Sequence, residues 1–322
     1  MIINRIITFL EPEWTQYQVL LSTAIASPYS LLVTINSHVM ESRGKQVRPL
    51  LSLLSAKLFG GTIPLSTAVA AVVEMTHTAT LLHDDVADQS DTRRGALTVQ
   101  RLYSPLASVL LGDFWLGRAF QVLMDYQGES LLGYFAHAIR EMSEGELFQM
   151  EKAVQRNTTI AEYHQIINKK TAMLMAAGMV AGARTTGASD AQCNLIEQIG
   201  LCIGAAFQIR DDIFDYALQF ETGKPGGQDL KEGKLTLPLL AALEQAPTEE
   251  RIEAQTWIEN LPDPDALSNI LSFVQRHQGV ALAQRVVEQK EQEAKSLLLQ
   301  CPENTARQYL MDVVSYLSGR NV

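Results

Sequence analysis

Residues 64–88 read PLSTAVAAVVEMTHTATLLHDDVAD, and this stretch decides the fold. Pro64 and Ser66 suit a helix start, because proline's missing N–H has no partner in a first turn anyway. Val72, Thr76, Thr80 and Asp84 then follow at helical spacing. The stretch closes on Asp84-Asp85-Val86-Ala87-Asp88, where helical geometry puts Asp84 and Asp88 on one face with Cβ atoms about 5–6 Å apart. Asp85 sits just beside that face.

The signature returns as Asp211-Asp212-Ile213-Phe214-Asp215, on a helix predicted to begin at Asp190. Thr158 and Thr159 are candidate caps for another helix, running to about Ala183. No proline occurs between Pro105 and Pro225, and the residues there are rich in Ala, Leu, Met, Gln and Glu, which favours long helices. Strand-like alternation and Asn-Gly turns are not evident, nor is a Rossmann or P-loop glycine pattern. The chain reads as all-α. No linker separates its parts, so residues 1–322 are expected to form a single domain, with short helices after Pro247.

Each acidic cluster has cations beyond it: Arg93 and Arg94 after the first, Lys224 and Lys234 after the second. At an effective dielectric of roughly 20, two unit charges about 4 Å apart repel by about 4 kcal/mol, so converging clusters need bridging cations. Carboxylates without a Cys/His set suit Mg²⁺, which takes its remaining ligands from water and substrate phosphates. A lone acidic cluster is more often a solvated helix face. Two copies with basic neighbours favour a diphosphate bound across metals.

The flanks of both clusters are similar to those of the trans-isoprenyl diphosphate synthases. The residues that carry the resemblance are Leu81-Leu82-His83-Asp84-Asp85 through Arg93-Arg94-Gly95, and Phe207-Gln208-Ile209-Arg210-Asp211-Asp212 through Thr236-Leu237-Pro238. Gly44-Lys45-Gln46-Val47-Arg48-Pro49, Ser143-Glu144-Gly145-Glu146 and Lys170-Thr171-Ala172 extend it, in order, from about residue 40 to residue 240. One departure is Arg43-Gly44-Lys45-Gln46, where many relatives have Gly-Gly-Lys-Arg.

The resemblance implies an isoprenoid synthase type I fold, a bundle of long helices around a central cavity. It also implies head-to-tail condensation of isopentenyl diphosphate with an allylic diphosphate. By the same resemblance Asp84 and Asp88 hold two Mg²⁺ ions and Asp211 a third, while Asp85, Asp212 and Asp215 act through water or neighbouring side chains. Arg93, Lys170, Lys224 and Lys234 match the allylic diphosphate, and Lys45, Arg48, His77 and Arg94 the metal-free diphosphate of isopentenyl diphosphate. Thr171 and Gln208 supply dipoles to a carbocation, and the glycine-rich residues 219–233 are expected to close over the site. Asp91 has no clear part, His83 reads as structural, and Arg320 is a loose candidate for the second pocket.

Product length is read upstream of Asp84. Thr80, Ala79, Thr76 and Val73 (with Val72) face a growing chain in the family's scheme, and the sites four and five positions back, bulky in short-chain members, are small here. At about 1.5 Å rise per residue the path from Asp84 to Val73 is about 16 Å, which favours a product longer than farnesyl. Phe114, Phe120 and Leu123 are candidates for the opposing wall.

Composition narrows the alternatives. The net charge of −10 disfavours nucleic acid as a partner. No uninterrupted apolar run near 20 residues suggests a membrane span, and the N-terminus lacks a basic region followed by a cleavage site. Cys193, Cys202 and Cys301 make neither an even disulfide set nor a CxxC pattern, which fits a cytoplasmic setting. Leu111-Gly112-Asp113 and Ala119-Phe120 suggest a helix-packed homodimer. A class I terpene cyclase would share the first cluster but not need Lys45, Arg48 and His77, and a non-catalytic subunit of a heteromeric synthase would not need both clusters.

Overall fold

Pro64 and Ser66 begin a helix as their positions predict: Ser66 Oγ accepts the N–H of Ile63 at 3.1 Å, and the helix runs to Ala87 with Asp88 as its cap. The structure is a computed structural model that describes residues 2–222 and 227–318, of which 217–222 and 318 are described by backbone alone. In chain order the elements are α1 (Ile2–Phe9), α2 (Glu13–Ala24), α3 (Ser30–Glu41), α4 (Val47–Leu58), α5 (Pro64–Ala87), β1 (Thr92–Arg93), β2 (Ala96–Leu97), α6 (Val99–Leu102) and α7 (Pro105–Asp125). Next come α8 (Leu132–Gln155), α9 (Ile160–Ile167), α10 (Met173–Arg184), α11 (Asp190–Thr222), α12 (Gln228–Lys231), α13 (Leu237–Gln245), α14 (Thr248–Glu259), α15 (Pro264–Arg276), α16 (Gly279–Leu298) and α17 (Thr305–Ser318). The fold is all-α, as expected, and α16 is longer than the short C-terminal helices anticipated.

The chain divides into two compact units, one of Met1–Ile139, Ala177–Glu197 and Cys301–Leu310, the other of Arg140–Ala176, Gln198–Gln300 and Met311–Val322. In the first, α5 packs against α2, α4 and α7. Ala68, Val69, Ala70, Ala71, Val72 and Val73 are all fully buried, and their small size lets the neighbouring helices approach closely. Each buried valine contributes about 1.5–3 kcal/mol relative to an exposed one. Trp115 on α7 fixes α3 by donating its indole N–H to Asn36 Oδ1 at 2.8 Å. In the second unit Tyr163, Ile209, Ile213, Tyr216, Leu230 and Leu239 join one apolar core with α15 and α16.

Two features depart from expectation. Thr92 pairs with Leu97 and Arg93 with Ala96 in a small antiparallel ribbon. Its turn is Arg94 (φ 53°) and Gly95 (φ 79°), both left-handed, which matches the twist of a two-residue hairpin. Arg-Gly is not the usual signal for such a turn, and the strands are only two residues long. The helix expected from Thr159 to Ala183 begins as predicted, with a capping box between Thr159 and Glu162, and passes through an unforeseen π-helical turn at Asn168–Ala172 into α10.

By length and composition α5 and α7 are both apolar enough to cross a membrane, a test that the buried core helix of a soluble protein also passes. The most apolar window of α5 is 72% buried and that of α7 39%. Of the residues expected at a homodimer contact, Leu111, Gly112 and Ala119 are buried within the chain, Phe120 is half-buried and Asp113 is exposed. The apolar residues that α7 exposes are Leu106, Val109, Leu110 and Met124. Cys193, Cys202 and Cys301 are free and buried.

Candidate active site

The last turn of α5 sorts its carboxylates by burial. Asp88 is exposed, Asp84 half-buried and Asp85 buried. Arg93 Nε donates to Asp85 Oδ1 at 2.7 Å, which ties the helix to the ribbon after it. Burial raises the Asp85 pKa against the opposing pull of Arg93. Arg93, expected at the allylic diphosphate, therefore rests on Asp85. Asp91 is exposed and lies 3.7 Å from Arg101. His83 contacts Asp113 at 3.4 Å and the Val109 carbonyl at 3.3 Å, a structural position between α5 and α7.

One turn and more upstream, Glu74, His77, Asp85, Arg43, Arg93 and Arg94 line a common recess. Burial, and then the charges of Arg48, Arg94 and Arg93, depress the His77 pKa well below the usual histidine value. Its ring is thus neutral near pH 7 and offers one N–H, while the arginines supply the positive charge. Arg48 lies in the first turn of α4, where the free backbone N–H groups also favour an anion. Lys45 is exposed on the loop before it. Gln46 caps α4 in the left-handed region (φ 50°), and its side chain donates to Tyr17 Oη at 2.6 Å. Arg43 and Glu74 were missed in the sequence. A lone carboxylate in the buried run Val72-Val73-Glu74-Met75 was the available signal, and burial raises its pKa against Arg48, Arg94 and Arg43.

The second cluster sits in a hydrogen-bonded relay. Tyr163 Oη donates to Asp212 Oδ2 at 2.5 Å, Gln208 Nε2 to Asp212 Oδ1 at 2.8 Å, and Thr171 Oγ1 to Gln208 Oε1 at 2.8 Å. Burial pushes the Asp212 pKa up to about 6, with the Tyr163 and Gln208 bonds opposing it. Asp211, beside it, is exposed. Asp215 accepts the N–H groups of Gln228 (Oδ1) and Asp229 (Oδ2), both at 3.0 Å.

Lys170 and Thr171 lie in the π-helical turn. A Cβ on Gly204 would collide with the backbone of Ala172, so only glycine lets α11 come this close to the turn. Lys170 pairs with Glu146 and donates to Gln149 Oε1 at 2.8 Å. Lys234 pairs with Glu232 at 2.7 Å. Lys224 and Arg320 lie outside the described residues, as do residues 223–226 of the expected closing loop. Tyr163, Gln149 and Asp229 were not foreseen, and Glu146 stood out only as part of the family resemblance. Burial, followed by Asp212 and Asp215, drives the Asp229 carboxyl well above its usual pKa.

Of the expected size-gauging residues, Ala79, Thr76 and Val73 are buried, and Thr80 is half-buried with its hydroxyl on the His77 carbonyl at 2.8 Å. Val73 packs where a Cβ on Gly178 would come within 2.7 Å of it. The Thr76 hydroxyl has no hydrogen-bond partner. Leu123, on α7 against α5, is fully buried.

No group of three or more His, Cys, Asp or Glu side chains among the described residues makes a metal cage. Asp84 with Asp88, and Asp211, fit Mg²⁺ nonetheless, because this ion is commonly held by one or two carboxylates together with substrate phosphates.

Comparison with known proteins identifies the family. The family model for polyprenyl synthetase matches residues 29–274. An all-trans-nonaprenyl-diphosphate synthase (geranyl-diphosphate specific) of Rhodobacter capsulatus is 36% identical over 295 residues, 91% of this chain and 90% of the relative. A short chain isoprenyl diphosphate synthase of Methanothermobacter thermautotrophicus is 33% identical over 295 residues, covering 90% of each. A crystal structure of a polyprenyl synthase from Caulobacter crescentus, complexed with calcium and isoprenyl diphosphate, superposes with a TM-score of 0.91 at 30% identity, over 99% of this chain and 98% of that one. The chain has the isoprenoid synthase type I fold and belongs to the polyprenyl synthetase family of trans-isoprenyl diphosphate synthases.

Proposed function

We propose that the chain extends an allylic diphosphate with isopentenyl diphosphate to a product longer than farnesyl, using Mg²⁺ at Asp84, Asp88 and Asp211. Family membership already makes it a prenyltransferase that condenses isopentenyl diphosphate head to tail. The observation that carries the fuller reading is the recess of Arg43, His77, Arg93 and Arg94, with Arg48 close to His77, because an elongating enzyme must hold one diphosphate without metal. The small, buried Ala79 and Thr76 support the longer product. The reading includes one domain over residues 1–322, three Mg²⁺ ions, a homodimer through the exposed apolar residues of α7, and a reducing, cytoplasmic setting.

When bound, magnesium would neutralise the charge that builds on the departing diphosphate. The chain's own residues do the rest. Lys170 and Lys234 add fixed positive charge, at a point where it counts more in the transition state than in the ground state. Because the Thr171 hydroxyl spends its proton on Gln208, its lone pairs are left to face a cation. Asp212 fixes which end of the Gln208 amide meets Thr171, and Tyr163 fixes Asp212. Arg48 and Arg94 hold the second diphosphate by charge, and neutral His77 adds a directed N–H. The released diphosphate is the base for the final proton.

Calorimetry with isopentenyl diphosphate in the presence of a chelator tests the metal-free pocket. Wild-type protein should bind, and Arg48→Ala or Arg94→Ala should weaken binding by about tenfold or more, since each removes a charge-assisted hydrogen bond. Wild-type protein that binds only when Mg²⁺ is present would overturn the assignment.

A further inference from the structure

Asp215 closes the second acidic cluster, yet its hydrogen bonds are those of a structural cap. Three successive backbone N–H groups go to this one residue: Gly227 donates to its carbonyl, Gln228 to Oδ1 and Asp229 to Oδ2, all at 3.0 Å. Backbone N–H groups at the start of a helical turn have no partner within the turn, and an aspartate satisfies them with charge-assisted bonds. The same segment continues to Lys234 through contacts at Leu230, Gly233 and Lys234 itself. Leu230 is fully buried in the apolar core that also holds Tyr216. Gly233, at φ 77°, lies so close to α8 that a Cβ there would come within 2.6 Å of the Ala153 carbonyl. Lys234 is the next residue, and its N–H donates to the Asp229 carbonyl at 2.8 Å. Asp211 has a different setting in the same cluster, being exposed.

We propose that Asp215 is a positioning residue, which seats residues 227–234 and so places Lys234 for an allylic diphosphate, and that it is not a metal ligand. This divides the second cluster by role. Asp211 meets metal, Asp212 orients Gln208, and Asp215 anchors the backbone that carries Lys234. The inference rests on the proposed function for the role of Lys234, while the anchoring itself does not.

Two measurements on the full chain test it. Amide hydrogen exchange without Mg²⁺ should show Gln228 and Asp229 protected in the wild type, and Asp215→Asn should speed their exchange by about tenfold or more, the effect of losing a bond to a charged acceptor. Binding of inorganic pyrophosphate, titrated with Mg²⁺, should then separate anchor from ligand. Asp215→Asn should weaken pyrophosphate several-fold at saturating Mg²⁺ without changing the Mg²⁺ concentration at half-saturation, whereas Asp211→Asn should raise that concentration. Unchanged exchange at Gln228 and Asp229, or a Mg²⁺ shift in Asp215→Asn equal to that of Asp211→Asn, overturns the proposal. Neither measurement requires turnover, so a wild-type chain that does not elongate would count against the proposed function and leave this inference to be decided separately.

Discussion

His77 shows how burial changes what a residue contributes. Its sequence position, seven residues before Asp84 on nearly the same face, pointed to a diphosphate ligand, and burial, followed by the charges of Arg48, Arg94 and Arg93, holds its pKa well below the usual histidine value. This fixes the sign of the pH effect. Below the ordinary histidine value near 6.5 the unfolded chain takes up a proton that the folded chain does not, so stability falls as pH drops, by about 1.4 kcal/mol per pH unit, until the folded pKa is reached. Urea unfolding between roughly pH 7 and pH 5 should therefore show a steeper acid loss for wild type than for His77→Gln, and parallel profiles would mean that His77 titrates normally. Asp84, Asp88, Asp211, Arg48 and Arg94 stood out in the sequence because a charge pattern announces them. Tyr163, Gln149 and Asp229 did not, because their importance lies in partners distant in the chain, such as the Tyr163–Asp212 bond between α9 and α11.

At the scale of elements, α5 was readable along its length because proline, small apolar residues and terminal carboxylates all favour the same helix. The π-helical turn was not, since nothing local in Asn168-Lys169-Lys170-Thr171-Ala172 demands it, and the close approach at Gly204 belongs to another helix. The Arg94–Gly95 turn was missed for the converse reason, that a left-handed arginine has no reliable sequence signal. The α5 reading has a direct consequence for product size. Ala79 is 1% exposed, five residues before Asp84. Ala79→Phe should shorten the product by at least one isoprene unit and lower stability by about 1–3 kcal/mol through overpacking. Chromatography of the products decides it; an unchanged chain length would show that this side of α5 does not gauge the product.

For the whole molecule, the exposed apolar residues of α7 predict self-association. Leu110 is 58% exposed and Leu106 66% exposed on a helix whose opposite face is core. Leu106→Asp with Leu110→Asp should convert a dimer to a monomer in sedimentation velocity with little loss of helix content, and an unchanged sedimentation coefficient would place any interface elsewhere. The fold class was legible because helical signals persist from residue 64 to residue 215 without a competing pattern. The division into two compact units was not, because each is assembled from segments far apart in the chain. The central claim is that this chain alone elongates allylic diphosphates past farnesyl. Incubating the purified chain with Mg²⁺, isopentenyl diphosphate and farnesyl diphosphate, and sizing the products, tests it most directly. The account predicts diphosphates longer than farnesyl, formed without any second protein; unreacted farnesyl diphosphate, or release of a hydrocarbon in place of a longer diphosphate, would contradict it.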